Sequence, residues 1–138
     1  VTFLLDTNVI SDLRRAGPRG VRLRRWFDDQ RPEALFLSVL TLGEIRQGIE
    51  QLRRRDRPQA DRLGIWLDDL GRHYADRLLP VDQAVADEWG RLRARRSVPV
   101  VDALMAATAR VHGLTLVTRN EKDVAGLDVP TLDPAGRD

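Results

Sequence analysis

Five apolar runs of four or five residues, Thr2–Leu5, Leu35–Val39, Leu78–Val81, Leu114–Thr118 and Val129–Leu132, alternate along the chain with longer stretches whose apolar residues recur at helical spacing. Runs this short, bounded by Asp, Asn, Gly or Pro, have the length of buried strands rather than of helices. The stretches between them carry the helical period: Val9, Ile10 and Leu13, stopped by Gly17-Pro18; Val21, Leu23, Trp26 and Phe27; Leu42, Ile45, Ile49 and Leu52, starting near Thr41; Leu63, Trp66, Leu67 and Leu70; Val85, Trp89 and Leu92. A last helix is expected to begin at Pro99, where a missing N–H costs nothing, to carry Val101, Leu104, Met105, Thr108 and Val111 as its stripe, and to end at Gly113. Strands alternating with helices predict an α/β layered fold with a mainly parallel sheet of about five strands. At 138 residues the chain has the length of one domain, and residues 1–138 are expected to form it.

In a parallel sheet, ligands bind beyond the carboxyl ends of the strands. Asp6 stands there after the first strand, and Asn120 and Asp123 after the fourth. Two further acids lie next to apolar elements: Glu44, one turn into the helix after the second strand, and Asp102, in the first turn of the Pro99 helix. Converging carboxylates repel one another, so a divalent cation is needed to hold four of them together. Mg²⁺ prefers oxygen ligands and keeps several waters; at such a centre it activates a water toward a phosphodiester. Each acid also has a plainer role. Asp6, Thr7 or Asn8 can cap the following helix. Thr41-Leu42-Gly43-Glu44 fits a capping box with Thr41 as N-cap. Asp102 suits a helix N-terminus, although the run Val98–Leu104 around it is otherwise almost wholly apolar and leaves a carboxylate in need of a partner. Asn120 and Asp123 suit an ordinary turn.

Several classes of function are excluded or disfavoured. The absence of cysteine removes disulfides and thiolate zinc sites and fits a reducing cytoplasm. No apolar run approaches the roughly 20 residues of a membrane span; the longest, Val98–Met105, is broken by Pro99 and Asp102. The N-terminus shows no basic region followed by an apolar core. His73 and His112 are the only histidines, and neither stands beside the acidic positions. Lysine and arginine number 23 against 21 acids, and Lys122 is the only lysine. Arginine grips phosphate bidentately, and Arg14, Arg15, Arg19, Arg22, Arg24 and Arg25 follow closely on Asp6, with Arg119 beside Asn120. A solvated charged face accounts equally well for the helical members of that group.

The order of the acidic positions carries a resemblance. Phe3-Leu4-Leu5-Asp6-Thr7-Asn8-Val9-Ile10-Ser11, Leu37-Ser38-Val39-Leu40-Thr41-Leu42-Gly43-Glu44-Ile45-Arg46-Gln47-Gly48, Val101-Asp102-Ala103-Leu104-Met105-Ala106-Ala107-Thr108-Ala109 and Leu116-Val117-Thr118-Arg119-Asn120-Glu121-Lys122-Asp123 resemble, in family order and spacing, the four blocks of VapC-type toxins of the PIN-domain ribonucleases. The resemblance spans nearly the whole chain and implies a three-layer α/β/α sandwich. It further implies an Mg²⁺- or Mn²⁺-dependent endoribonuclease that hydrolyses RNA and inhibits translation. Asp6, Glu44 and Asp102 match the three metal-clustering acids. The fourth acid falls at Asn120 in some members and at Asp123 in others, so Asp123 is the expected carboxylate here and Asn120 a polar support. Thr7 and Thr118 match hydroxyl positions near the metal. Val101 departs from the small residue often found before the third acid, and Val124 from the aromatic often found after the fourth. Implied partners are an RNA substrate, with Arg14, Arg15 and Arg119 as candidate contacts, and a VapB-like antitoxin whose tail lies along the helices near Leu13, Ile45 and Ile49. A homodimer is also implied, and the rich apolar faces of the helices at 42–52 and 60–74 point the same way. A PIN-like module that binds nucleic acid without cutting is the alternative; its sequence mark, the loss of an acid, is absent. The Asp6-Thr7-Asn8 turn lacks the second Asp of haloacid-dehalogenase phosphatases, and no pattern of paired early acids with a late lysine suggests a phosphotransfer receiver.

Overall fold

Alternate side chains of the central strand leave for opposite faces, and each face meets its own layer of helices. The computed structural model describes residues 1–15 and 17–136. Its elements run β1 (Phe3–Leu5), α1 (Thr7–Arg14), α2 (Pro18–Asp28), β2 (Leu35–Ser38), α3 (Val39–Arg53), α4 (Arg57–His73), β3 (Leu78–Leu79), α5 (Gln83–Arg95), α6 (Val100–His112), β4 (Thr115–Val117) and β5 (Thr131–Leu132). The strands form one sheet in the order β3-β2-β1-β4-β5, and every pairing is parallel. Leu4 and Leu116 pack with Val85, Leu92, Met105 and Ala106 of α5 and α6. Phe3, Leu5, Leu37 and Val117 pack with Val9, Ile10 and Leu23 of α1 and α2. The two-residue period of a strand thus builds the expected three-layer α/β/α sandwich. No described helix is long and apolar enough to cross a membrane.

Chain direction off the sheet reverses between β1 and β4. From β1 the chain proceeds to β2 and β3 on one side, whereas β4 and β5 extend the sheet on the other. The carboxyl ends of β1 and β4 therefore flank a topological switch point, where an open α/β sheet leaves a crevice. Asp6 follows β1 directly, and its N–H donates to the Val117 carbonyl at the end of β4 at 2.9 Å.

Three local expectations are corrected. Val39 opens α3 instead of closing β2, because Ser38 is the N-cap and accepts from the Leu40 N–H at 3.0 Å. Thr41 is therefore inside the helix and buried, and the capping box from Thr41 to Glu44 does not form. Pro80, which has no N–H to give a ladder, follows a third strand of only Leu78 and Leu79. In α6 Met105 and Thr108 of the expected stripe are buried, but Val101 and Leu104 are only partly so, and Ala103, Ala106, Ala107 and Ala109 complete the buried surface. Small alanines let this helix approach both the sheet and α5, while Val111 stays exposed. Gly113 does end α6, in the left-handed conformation at φ 67°.

The apolar surplus of α3 and α4 is also accounted for within the chain. Ile49, Ala60 and Leu67 form a separate buried cluster with Leu42, Ile45, Leu52, Leu63, Trp66 and Leu70, which joins the two helices. Their rich faces therefore no longer argue for self-association; Ile65 is the large apolar side chain left exposed on α4.

Candidate active site

The Asp6 carboxylate caps α1 with one oxygen and is held by Thr118 and Asn8 through the other, so capping does not exclude it from the acidic centre. Its Oδ1 accepts from the Thr7 N–H at 2.8 Å, which satisfies one of the free donors at the start of α1. Its Oδ2 accepts from Thr118 Oγ1 at 2.9 Å and from Asn8 Nδ2 at 3.2 Å. A carboxylate has about four lone-pair positions, so these three bonds fix its orientation and leave room for one more partner. Burial pushes the Asp6 carboxyl above its ordinary pKa, and the charge of Glu44 adds to that rise; the Thr118, Thr7 and Asn8 hydrogen bonds oppose it.

Glu44 reaches the same place from α3. Thr7 Oγ1 lies 2.5 Å from Glu44 Oε1 and 3.1 Å from Thr41 Oγ1. The buried Thr41 hydroxyl thus sits under the site instead of capping α3. Asp102 lies in the first turn of α6. No hydrogen bond or ion pair reaches its carboxylate from the described residues. Its pKa is raised chiefly by burial, then by the negative charges of Asp6, Asp123 and Glu44. All four expected acids therefore act on one centre at the carboxyl end of the sheet. Asp123 sits in the short 3-10 turn Glu121–Val124 and is exposed. Asn120 supports the centre through its backbone: its N–H donates to Thr118 Oγ1 at 3.1 Å.

The donor set is one suited to a hard divalent cation. Among the described residues no three His, Cys, Asp or Glu side chains close into a ready cage. Mg²⁺ does not need one, since it binds through one or two carboxylates and keeps its waters. The donors are all carboxylate and hydroxyl oxygens, and Asp102 is a partly buried, partnerless carboxylate facing three like charges. That combination fits Mg²⁺ or Mn²⁺, and Asp6, Glu44, Asp102 and Asp123 would hold it.

The arginines divide. Arg19 is bound up in the fold: it donates to Asp12, to Asp133 and to the Gly136 carbonyl. Arg22 donates to the Ala135 carbonyl. Neither points to the acidic centre, because both tie α2 to the C-terminal segment. Arg24 lies over Phe27 and donates to the Leu13 carbonyl, while Arg25 is exposed. Arg14 stacks over Trp66 at 4.5 Å. With Thr7, Arg15, Glu44, Ile45 and Trp66 it lines a groove of about 310 Å³ that runs from the acids over the α3–α4 cluster. Arg119 leaves the β4 end beside Thr118 and pairs with Asp12 at 2.8 Å. Asp12, and Asn8 and Thr41, which the sequence offered only as caps, are the site residues that sequence reasoning missed. Asn8 links the Asp6 carboxylate to the Arg119 N–H, which it accepts at 3.4 Å.

A model of the PIN domain family matches residues 3–127. The chain is 33% identical to the toxin FitB of Neisseria gonorrhoeae, over 96% of this chain and 97% of that protein. It is 35% identical to a VapC ribonuclease of Sinorhizobium fredii, over 92% and 94%. Among solved structures, that of FitAcB from Neisseria gonorrhoeae superposes with a TM-score of 0.88 at 32% identity, over 96% of this chain and 98% of that one. A toxin–antitoxin complex from Klebsiella pneumoniae superposes at 0.72 with 26% identity, over 96% and 98%.

Proposed function

The chain belongs to the PIN domain family, and from that premise we propose that it is a cytoplasmic, Mg²⁺-dependent endoribonuclease, the toxin of a toxin–antitoxin pair, which blocks translation by cutting RNA. The observation that carries the proposal is the Asp102 carboxylate, which has no hydrogen-bond or ion-pair partner among the described residues and lies in the field of Asp6, Asp123 and Glu44. Uncompensated repulsion at a crevice is costly, and it is relieved by a cation. A bound Mg²⁺ polarises the phosphodiester and lowers the pKa of an attacking water. The protein's part is orientation. Thr118, Asn8 and the Thr7 N–H hold Asp6 in one rotamer, and the Thr7 hydroxyl does the same for Glu44. Purified protein should cut RNA with Mg²⁺ or Mn²⁺ and stop in EDTA. Asp6→Asn and Asp102→Asn should each lower the rate by orders of magnitude, on the order of the 10²-fold or more that follows loss of a preorganised charged group. Full activity in both variants refutes the mechanism.

The relatives' names, a toxin and a VapC ribonuclease, and the toxin–antitoxin complex support a protein antitoxin as partner. The groove past Arg14, Ile45 and Trp66 suits an amphipathic helix, and an arginine from such a tail would take the cation's place among the carboxylates. Co-expression with the neighbouring reading frame should give a complex that no longer cuts RNA; a complex that cuts at the free rate excludes this mode of inhibition. A homodimer rests on the family resemblance alone. Light scattering should give about twice the 15.7 kDa chain mass, and a monomer at micromolar concentration excludes it.

A further inference from the structure

Asp12 carries two local penalties. It sits in the last turn of the eight-residue helix α1, where a negative charge opposes the helix dipole. It is also 5% exposed, and a buried carboxylate is costly unless it is paired. Three guanidinium groups supply the pairing: Arg119 Nη1 at 2.8 Å, Arg19 Nε at 3.2 Å and Arg15 Nη1 at 3.6 Å. Arg19 uses its Nε, Nη1 and Nη2 on Asp12, Gly136 and Asp133, so it is wholly structural. Arg119 differs. Its side chain is 38% exposed, and among the described residues only Nη1 has a side-chain partner, so Nε and Nη2 have none there. With Asp133 included, three arginines face two aspartates, so the cluster keeps one positive charge in surplus beside a centre of four acids.

The backbone that carries Arg119 is fastened to the acidic centre. Its N–H donates to Asn8 Oδ1, and the Thr118 hydroxyl before it donates to Asp6 while accepting from the Asn120 N–H after it. From there the side chain runs back along α1 to Asp12. Six residues at about 1.5 Å each put Asp12 about 9 Å along the helix axis from Asp6. That is too far for the phosphate being cut and suitable for a neighbouring one.

We infer that Asp12 is a positioning residue: it holds the Arg119 guanidinium at the rim of the acidic centre, where the free Nε and Nη2 receive a phosphate of the RNA strand flanking the bond to be cut. The inference rests on the ribonuclease function proposed above and names how that site takes its strand. A buried carboxylate whose only task was to close the C-terminal segment would need Arg19 alone.

The probe is a 5′-fluorescein-labelled single-stranded RNA of mixed sequence, bound in EDTA so that it is not cut, across a series of salt concentrations. Arg119→Ala and Asp12→Asn should each weaken binding about 5- to 10-fold and reduce the salt slope by about one. The double variant should be no weaker than either single one, since both remove the same contact. Arg119→Lys should recover part of the affinity. In Mg²⁺ the single variants should raise KM and leave kcat nearly unchanged. An Asp12→Asn protein with a lowered Tm but wild-type affinity and slope makes Asp12 merely structural and overturns the inference. Should Asp12→Asn not fold, Asp12→Glu, which keeps the charge and shifts the pair by one methylene, should bind with intermediate affinity, and wild-type affinity there overturns the inference. Wild-type binding by Arg119→Ala, or no binding by the wild type even at low salt, overturns it as well. The ribonuclease function fails by a different result, cleavage that survives Asp6→Asn and Asp102→Asn, so the two failures are distinguishable.

Discussion

Thr118 is the best single point at which to test how the acidic centre is held. Its side chain is buried, its hydroxyl donates to Asp6 Oδ2 at 2.9 Å, and it accepts from the Asn120 N–H at 3.1 Å and from Asn8 Nδ2 at 3.4 Å. Thr118→Val keeps the shape and removes all three bonds. A hydrogen bond to a charged group contributes about 1.5–3 kcal/mol, and an orphaned donor costs about 1 kcal/mol more. The expected loss at neutral pH is therefore about 2–4 kcal/mol. For a chain of 138 residues that corresponds to a Tm lower by about 7–14 °C.

The loss should depend on pH in a fixed direction. Burial already holds Asp6 above its ordinary pKa, and Thr118 is the largest influence working against that rise. Without the hydroxyl the carboxyl moves higher still. An acid whose folded pKa lies above its unfolded value weakens the fold above that folded pKa, and the penalty disappears as pH falls through it. The gap between wild type and Thr118→Val should thus be widest at neutral pH. It should narrow on acidification toward the roughly 1 kcal/mol of a neutral hydrogen bond. Thr118→Ser keeps the hydroxyl and loses one methyl, at about 0.5–1.5 kcal/mol, with no change in pH dependence. Urea unfolding in EDTA, repeated from neutral pH down into the carboxyl titration range, measures all of this. A gap that stays constant with pH, or a serine variant as damaged as the valine one, refutes the role given to the hydroxyl.

Two further outcomes follow from the same geometry. Asp102→Asn removes a carboxylate that three others repel, so it should stabilise the metal-free protein, by no more than about 1 kcal/mol because the group is partly solvated and screened; Mg²⁺ should raise the Tm of the wild type and not of this variant, as differential scanning fluorimetry would show. Gly20→Ala should cost about 1–3 kcal/mol or more in urea unfolding, because a Cβ there would lie 2.3 Å from the Arg15 carbonyl oxygen, which belongs to backbone and cannot swing aside; a neutral effect would mean that α1 and α2 can separate freely.

The fold was legible because a parallel strand buried on both faces is apolar throughout, and Phe3-Leu4-Leu5 and Leu114–Val117 announce themselves by length and composition. The boundaries were less so. Both Ser38 and Thr41 are good N-caps, and local chemistry does not choose between them; the choice falls to Ser38 because β2 stops where its pairing with β3 ends, at Ser38 opposite Leu79. The stripe of α6 was legible only in part, because the period of bulky residues marks one contact face. A helix enclosed by sheet and neighbour buries alanine on several sides, and alanine gives no periodic signal.

At the site, the four acids were legible because each lies beside an apolar element at a strand end or helix start, where a charge without a partner has to be explained. Asp12 was passed over, although the same logic applied to it. It lies three residues after Val9 and next to Leu13, and so falls within the apolar side of α1, where an aspartate departs from the pattern as plainly as Asp102 does in α6. What the sequence could not supply was the identity of its nearest partner, since Arg119 lies more than a hundred residues away. The two misfit carboxylates then separate by what surrounds them. Asp12 meets guanidinium groups and becomes part of the framework, whereas Asp102 has no partner among the described residues and feels the charges of other acids. A buried charge that the fold satisfies holds something in place, and one that the fold leaves unsatisfied is the place where a ligand contributes binding energy.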